Sequence, residues 1–293
     1  MNPLLSRTAL GLWRAKIWNY SRSGLEKLIS GSIDLGINTF DHADIYGDYE
    51  CEGLFGEVLK SNPSLRKKMA IVTKCGIKLT SSKYPERKIK YYDTGKDHII
   101  KSVENSLMNL GTDFIDLLLI HRPDPLMNAD EATWAFTELK ASGKVLHFGV
   151  SNFLPHQFDL LQSRLPFPLT TNQIEVSVLN HEHFDNGNID FLQQKKVVPM
   201  VWSPFAGGRI FYEESESALR TRAVLNELAY NYGTNGIEPI AAAWLFVHPV
   251  NFVLILGSGR IERIKNAIEG VNIKLSREEW FRVWTAARGR DIP

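Results

Sequence analysis

The sequence has only two cysteines, Cys51 and Cys75, in 293 residues, and they form neither a C-x-x-C nor any other paired metal spacing. Their scarcity excludes a disulfide framework and a cysteine-built zinc site, and it suits a reducing, cytoplasmic setting. Residues 1–12 carry Arg7 but no long apolar stretch and no small-residue cleavage pattern, and no apolar run approaches bilayer-spanning length. The chain is therefore expected to be unexported and to need no membrane. Surplus charge is missing as well. The 34 Lys and Arg against 33 Asp and Glu leave no basic field for nucleic acid. Internal repeats and low-complexity tracts are also absent, and no signal fixes an oligomeric state.

What is present is an ordinary globular composition, 44% hydrophobic and 23% charged, in one stretch without a composition shift between its halves. A single domain over residues 1–293 is expected. Short β-branched and apolar runs recur at 8–12, 38–41, 69–73, 114–120, 145–150, 170–176, 197–202 and 252–256, each of strand length. Between them apolar residues repeat at three- and four-residue spacing, as in Ile99, Val103, Leu107 and Leu110, or Leu225, Leu228, Ala229 and Tyr232. Further helices are expected at 238–247 and 276–288. In the second, Glu278 and Arg282 are spaced for an i,i+4 pair. Eight βα units predict a closed (β/α)8 barrel, a TIM barrel of the α/β class. The rival doubly wound sheet lacks its G-x-G-x-x-G turn after the first strand.

In a parallel barrel the last residues of all strands ring one mouth, so distant polar residues converge there. The second strand ends at Asp41 and is followed by Tyr46; the third ends at Lys74 and the fourth at His121. Taken singly, Asp41 could cap a helix, Lys74 could be solvated and His121 could be a satisfied core histidine. Together they set costly polar groups beside a core, where partners are expected. A free phenol titrates near pH ~10, and an adjacent Lys74 ammonium is expected to lower Tyr46 by favouring phenolate. Asp41 can hold Lys74 charged, and His121 can hydrogen-bond a carbonyl oxygen or the phenol. Such a quartet is a general acid beside a polarised carbonyl, suited to hydride transfer. No flavin signature accompanies it, so a nicotinamide is the economical hydride source.

The segment Asp41-His42-Ala43-Asp44-Ile45-Tyr46-Gly47 resembles the D-x-A-x-x-Y-G signature of aldo-keto reductases. Lys74 and His121 fall where that family's tetrad requires. Gly143-Lys144-Val145-Leu146-His147-Phe148-Gly149-Val150-Ser151-Asn152-Phe153 and residues 115–121 are similar to further hallmarks, and the likeness runs over 11–267. The resemblance implies a reductase of aldehydes or ketones, or the reverse alcohol oxidation, with Tyr46 as proton donor in a tetrad of Asp41, Tyr46, Lys74 and His121. It implies NADPH (NADP+) as cofactor, with NADH as the alternative. Ser151, Asn152 and Gln173 would hydrogen-bond the nicotinamide carboxamide, and Trp202 would stack on the ring.

Ser203, Phe205 and Gly207 lie in a segment that resembles the family's loop beside the pyrophosphate, with Arg209 near to add charge; a plain flexible turn at Gly207-Gly208 is the alternative. Gly257, Ser258 and Arg263 match the segment that holds the adenosine 2′-phosphate, where a helix start would add its dipole. Many members have Lys where Gly257 stands, so one expected charge is absent, and Arg260 either substitutes for it or is an ordinary solvated arginine. The stretch before the first strand is shorter than the hairpin that closes the barrel bottom in many members.

The substrate, a small carbonyl compound or alcohol, would meet Trp13, Tyr46, Phe153 and part of the loop at 76–96, a long basic connection carrying Tyr84, Tyr91 and Tyr92. That loop, and the one at 203–217, are read equally well as functional or as surface decoration. His181-Glu182-His183 would face two imidazoles one way in an extended segment, but no third metal ligand follows, so a surface loop is preferred. His42 and Asp44 fit no metal spacing either, and no metal is assigned. Trp280 and Trp284, four apart on the last helix, are expected to pack on the barrel rather than form a partner surface. Two rival functions share these residues. One is a cofactor-sensing subunit of the kind associated with potassium channels. The other is a Schiff-base lyase using Lys74, which an Asp41 that keeps the amine charged disfavours.

Overall fold

The structure, a computed structural model, describes residues 4–293. Eight parallel strands close into a barrel in chain order: β1 Thr8–Gly11, β2 Thr39–Asp41, β3 Ala70–Cys75, β4 Ile115–Ile120, β5 Val145–Ser151, β6 Asn172–Glu175, β7 Met200–Trp202 and β8 Val253–Leu256. Each pairs with its sequence neighbours, and β8 closes on β1 through Thr8↔Leu254 and Ala9↔Ile255. The eight expected strands all form, with ends shifted by one to three residues; most are shorter than expected, while β3 and β5 run on to Cys75 and Ser151. The seventh starts three residues late because Pro199 has no N–H to give to the ladder, although its carbonyl accepts from Val253.

Side chains along a strand alternate between faces, so each strand splits its residues between the barrel interior and the helical layer. Ala9, Val72, Leu117, Leu119, Met200, Val253 and Ile255 fill the interior. Their neighbours Leu10, Phe40, Ile71, Leu118, Phe148, Val150, Ile174 and Val201 face outward into the core shared with the helices. Leu5 joins the interior cluster and Leu4 packs against it, so two leucines ahead of β1 extend the barrel interior at its bottom. Continuing the inward parity to the top of each strand selects Gly11, Asp41, Lys74, His121, Ser151, Gln173 and Trp202. The two-residue period alone thus delivers the polar residues to one mouth.

The helices expected at 238–247 and 276–288 are Glu238–Phe246 and Arg277–Arg288. A capping box at Ser276 and Glu279 starts the last one. Trp280 and Trp284 pack inward. Trp280 stacks on Trp244 at 4.7 Å and each indole N–H donates to the other's carbonyl, while Trp284 stacks on His181 at 4.3 Å. Arg282 turns to Glu227 on the adjacent helix, at 2.5 Å, rather than to Glu278. The 181–183 segment is neither extended nor a surface loop: Glu182–Asp185 is a short helix, and the buried His183 Nδ1 pairs with Asn188 Nδ2 at 3.1 Å. Among the described residues no helix is long and apolar enough to cross a membrane.

Candidate functional site

The mouth of the barrel brings Asp41, Tyr46, Lys74 and His121 together. Lys74 is fully buried and its ammonium donates to both Asp41 oxygens, at 2.9 and 2.8 Å, and to the His42 carbonyl at 2.6 Å. It also lies 3.1 Å from the Tyr46 hydroxyl. A buried ammonium is tolerable only because every donor has an acceptor and Asp41 supplies the opposite charge. Burial alone would lower its pKa, yet Asp41 and Tyr46 together hold it above the ordinary lysine value. Lys74 therefore stays charged, as expected of a tuning cation and not of an amine nucleophile.

Tyr46 departs from expectation. Burial outweighs the pull of Lys74, Asp41 adds to the rise, and the phenol sits above its ordinary pKa. The lysine does favour phenolate, but against a larger desolvation cost. The His121 ring stands edge-on to the Tyr46 ring at 5.8 Å. Burial, then the charges of Lys74, Arg122 and Lys90, drive His121 well below the ordinary imidazole value, so it is neutral at physiological pH. Its Nδ1 is buried without a partner among the described residues.

Tyr46 is aimed by a strained turn. Gly47, Asp48 and Tyr49 all have left-handed φ, at 60°, 58° and 66°, which side chains other than glycine's rarely adopt. A Cβ at Gly47 would stand 2.6 Å from Cys51 Sγ, so glycine is required twice over there. The long loop at 76–96 holds the turn in place. The Tyr49 hydroxyl accepts from the Leu79 N–H at 3.0 Å and from Arg87 at 2.8 Å, and Lys83 donates to the Asp48 carbonyl and to Glu50. The Arg87 guanidinium carbon sits over the Tyr84 ring, 3.6 Å from its centroid. Losing the Tyr49 hydroxyl leaves two partly buried donors unpaired. Tyr49→Phe should thus lower stability by about 1–3 kcal/mol, read as a shifted urea midpoint at unchanged slope, whereas a wild-type midpoint would mean the loop does not hold the turn.

The residues expected around a cofactor line the other half of the mouth, on β5 to β8. Ser151 Oγ donates to the Gln173 carbonyl and accepts from Asn152, whose Oδ1 accepts from the Trp202 indole at 3.0 Å. Gln173 does something the sequence did not reveal: its amide donates to Asp41 at 2.8 Å, which ties this half of the mouth to the Lys74 pair. In the loop after β7, Ser203, Ala206, Gly207 and Gly208 are left-handed, and nothing stands within 4 Å of where a Gly207 Cβ would be. Backbone N–H groups in such a run face one concavity that suits phosphate oxygens. Phe205 packs beside it against Phe211, and Arg14 reaches the Gly207 carbonyl at 3.5 Å.

Beyond β8, Gly257 and Ser258 precede the helix Ile261–Glu269, which has no side-chain cap, and Arg260 and Arg263 are exposed on its first turn. Uncapped N–H groups, a hydroxyl and two arginines form a donor set that fits an anionic phosphate. Trp13 is 59% exposed at the β1 end, open to a substrate. Phe153 corrects the expectation. It is fully buried in the outer core, where its N–H donates to Asn172 Oδ1 and its carbonyl accepts from Asn172 and Asn188, so its ring is not exposed at the mouth.

Two further groups near the site had no clear sequence signal. Glu52 is buried, accepts from Thr73 Oγ1 at 2.6 Å, and burial pushes its pKa up from the ordinary glutamate value. His42 is fully buried against Phe55, with neither ring nitrogen partnered among the described residues, and burial lowers it to about 3.

A family model described as the aldo/keto reductase family matches residues 7–287. The chain is 50% identical over 291 residues to oxidoreductase YdhF of Escherichia coli (strain K12), covering 99% of this chain and 96% of that protein. It is 43% identical over 289 residues to a 6-dehydroglucose reductase of Agrobacterium fabrum, covering 98% and 96%. Among solved structures it is similar to the thermostable aldo-keto reductase Tm1743, crystallised with the inhibitor epalrestat. The TM-score is 0.80 at 28% identity, covering 96% of this chain and 95% of that one.

Proposed function

The chain belongs to the aldo/keto reductase family, an oxidoreductase type, and on that premise we propose that it reduces aldehydes or ketones to alcohols, or runs the reverse oxidation, with Tyr46 as proton donor. The observation that carries this reading is the Tyr46 hydroxyl 3.1 Å from a fully buried Lys74 that is itself clasped by Asp41. When bound, NADPH supplies the hydride.

The rest belongs to the chain's own residues. As negative charge grows on the carbonyl oxygen, the phenol proton of Tyr46 moves to it, and the Lys74 ammonium stabilises the phenolate left behind. Asp41, held by Gln173, keeps the ammonium charged and aimed. Neutral His121 offers one ring N–H to the same oxygen. Ser151, Asn152 and Gln173 orient the nicotinamide carboxamide, and Trp202 covers the ring. Ser203, Phe205 and Gly207 flank the pyrophosphate. Ser258 and Arg263 take the 2′-phosphate, with Arg260 standing in for the charge that Gly257 lacks.

NADPH and NADH titrations, followed by quenching of tryptophan fluorescence, test the cofactor half, and loss of reduced-nicotinamide absorbance with a panel of aldehydes tests the chemistry. NADPH should bind at least about tenfold more tightly than NADH, with Arg263→Ala shrinking that margin, since a guanidinium–phosphate pair is a strong charge-assisted contact. A protein that binds neither nucleotide and reduces no member of the panel overturns the proposal.

A further inference from the structure

Directly after His121, at the same mouth, stands Arg122. Its side chain is half-buried, its guanidinium carbon lies 5.4 Å from the Trp202 ring centre, and no ion pair or hydrogen bond engages it among the described residues. That is unusual for a group with five N–H donors drawn partly out of water. The nearest acid in sequence, Asp124, is occupied: its two oxygens accept from Thr94 Oγ1 and the Leu126 N–H, both within 2.9 Å. Glu175, the residue of β6 paired with Trp202, feels the Arg122 charge but forms no ion pair with it.

The charge of Arg122 also registers at Tyr46 and at His121, where Lys90 of the long loop acts in the same sense. Lys90 likewise has no carboxylate partner among the described residues. Arg122, a cation with no ion pair among the described residues, therefore stands over Trp202 with its charge felt at both reacting groups. The Trp202 ring lies within cation–π reach of the guanidinium, a contact that uses none of its N–H donors.

We propose that Arg122 is the specificity-determining subsite for a carbonyl substrate that carries oxygen acceptors beside its carbonyl group, a carboxylate, a phosphate or hydroxyls. The inference rests on the redox reading for its placement of the carbonyl at Tyr46 and His121. A guanidinium fork that grips such a group bidentately would also fix the distance from the carbonyl to the Tyr46 hydroxyl.

Binding of matched aldehydes to the protein saturated with NADP+ tests this without requiring turnover. Succinic semialdehyde is set against butanal, and glyceraldehyde against propanal, by calorimetric titration. The oxygen-bearing member of at least one pair should bind at least about tenfold more tightly, the scale of one good charge-assisted contact. Arg122→Met should erase that margin and Arg122→Lys should restore part of it, whereas a fault of folding would weaken both members alike. If the margin lies in the carboxylate pair it should shrink with added salt; if it lies in the hydroxyl pair it should not. Equal affinities within both pairs, or a margin that survives in Arg122→Met, overturn the subsite. A margin that behaves as expected in a protein that transfers no hydride would overturn the redox reading instead.

Discussion

Replacing Lys74 by methionine is expected to cut carbonyl reduction by about 10²–10⁴-fold, the scale of losing general acid catalysis, and also to destabilise the barrel. The second effect follows from burial. Lys74 is wholly inaccessible and Asp41 nearly so, and methionine would leave the carboxylate facing only the Gln173 amide. Stranding one partner of a buried pair costs about 3–5 kcal/mol. Removing both charges, in Asp41→Asn with Lys74→Met, should recover much of that stability, because well-packed neutral groups replace a pair that was expensive to desolvate. It should recover none of the activity. Urea denaturation and reduced-nicotinamide oxidation, measured on the single and double variants, separate the two roles. Wild-type turnover in Lys74→Met would refute the tuning role, and a double variant no more stable than the single one would refute the charge argument.

The barrel was legible because its signal is repeated eight times, and an error of a residue or two at a strand end does not change the count. Local chemistry explains the ends that shifted, as at Pro199. The quartet was legible because a polar residue directly after an apolar run is costly unless partnered, and four such costs fell on one rim. Phe153 was misplaced for a reason of the same kind. It lies two residues past Ser151 and so past the end of β5, where strand parity no longer applies, and the chain turns it into the outer core.

Gln173 and Tyr49 were invisible as partners of the site because their bonds join residues 132 and 38 positions apart, which no local pattern encodes. Arg122 is the reverse case. Its interest lies in the contacts it does not make, and those are readable only once every neighbouring acid has been placed.

Tyr46→Phe should lower kcat by about 10²–10⁴-fold while leaving nucleotide affinity and the fold nearly intact. Among the described residues the Tyr46 hydroxyl hydrogen-bonds only Lys74, which keeps Asp41 and the His42 carbonyl as acceptors, so its loss should cost about 1 kcal/mol. The pH dependence gives a sharper test. A phenol stops donating as pH rises through its pKa, and burial has moved that point upward from the ordinary value near pH ~10. An imidazole gains charge as pH falls through its pKa, and burial has moved His121 downward. Both edges are displaced away from neutrality, so kcat/KM for reduction should be flat between about pH 6.5 and 9, with no limb from either group. A limb centred near neutral pH that vanishes in Tyr46→Phe would show that the phenol titrates where Lys74 alone would put it. Desolvation would then be the weaker of the two forces acting on Tyr46.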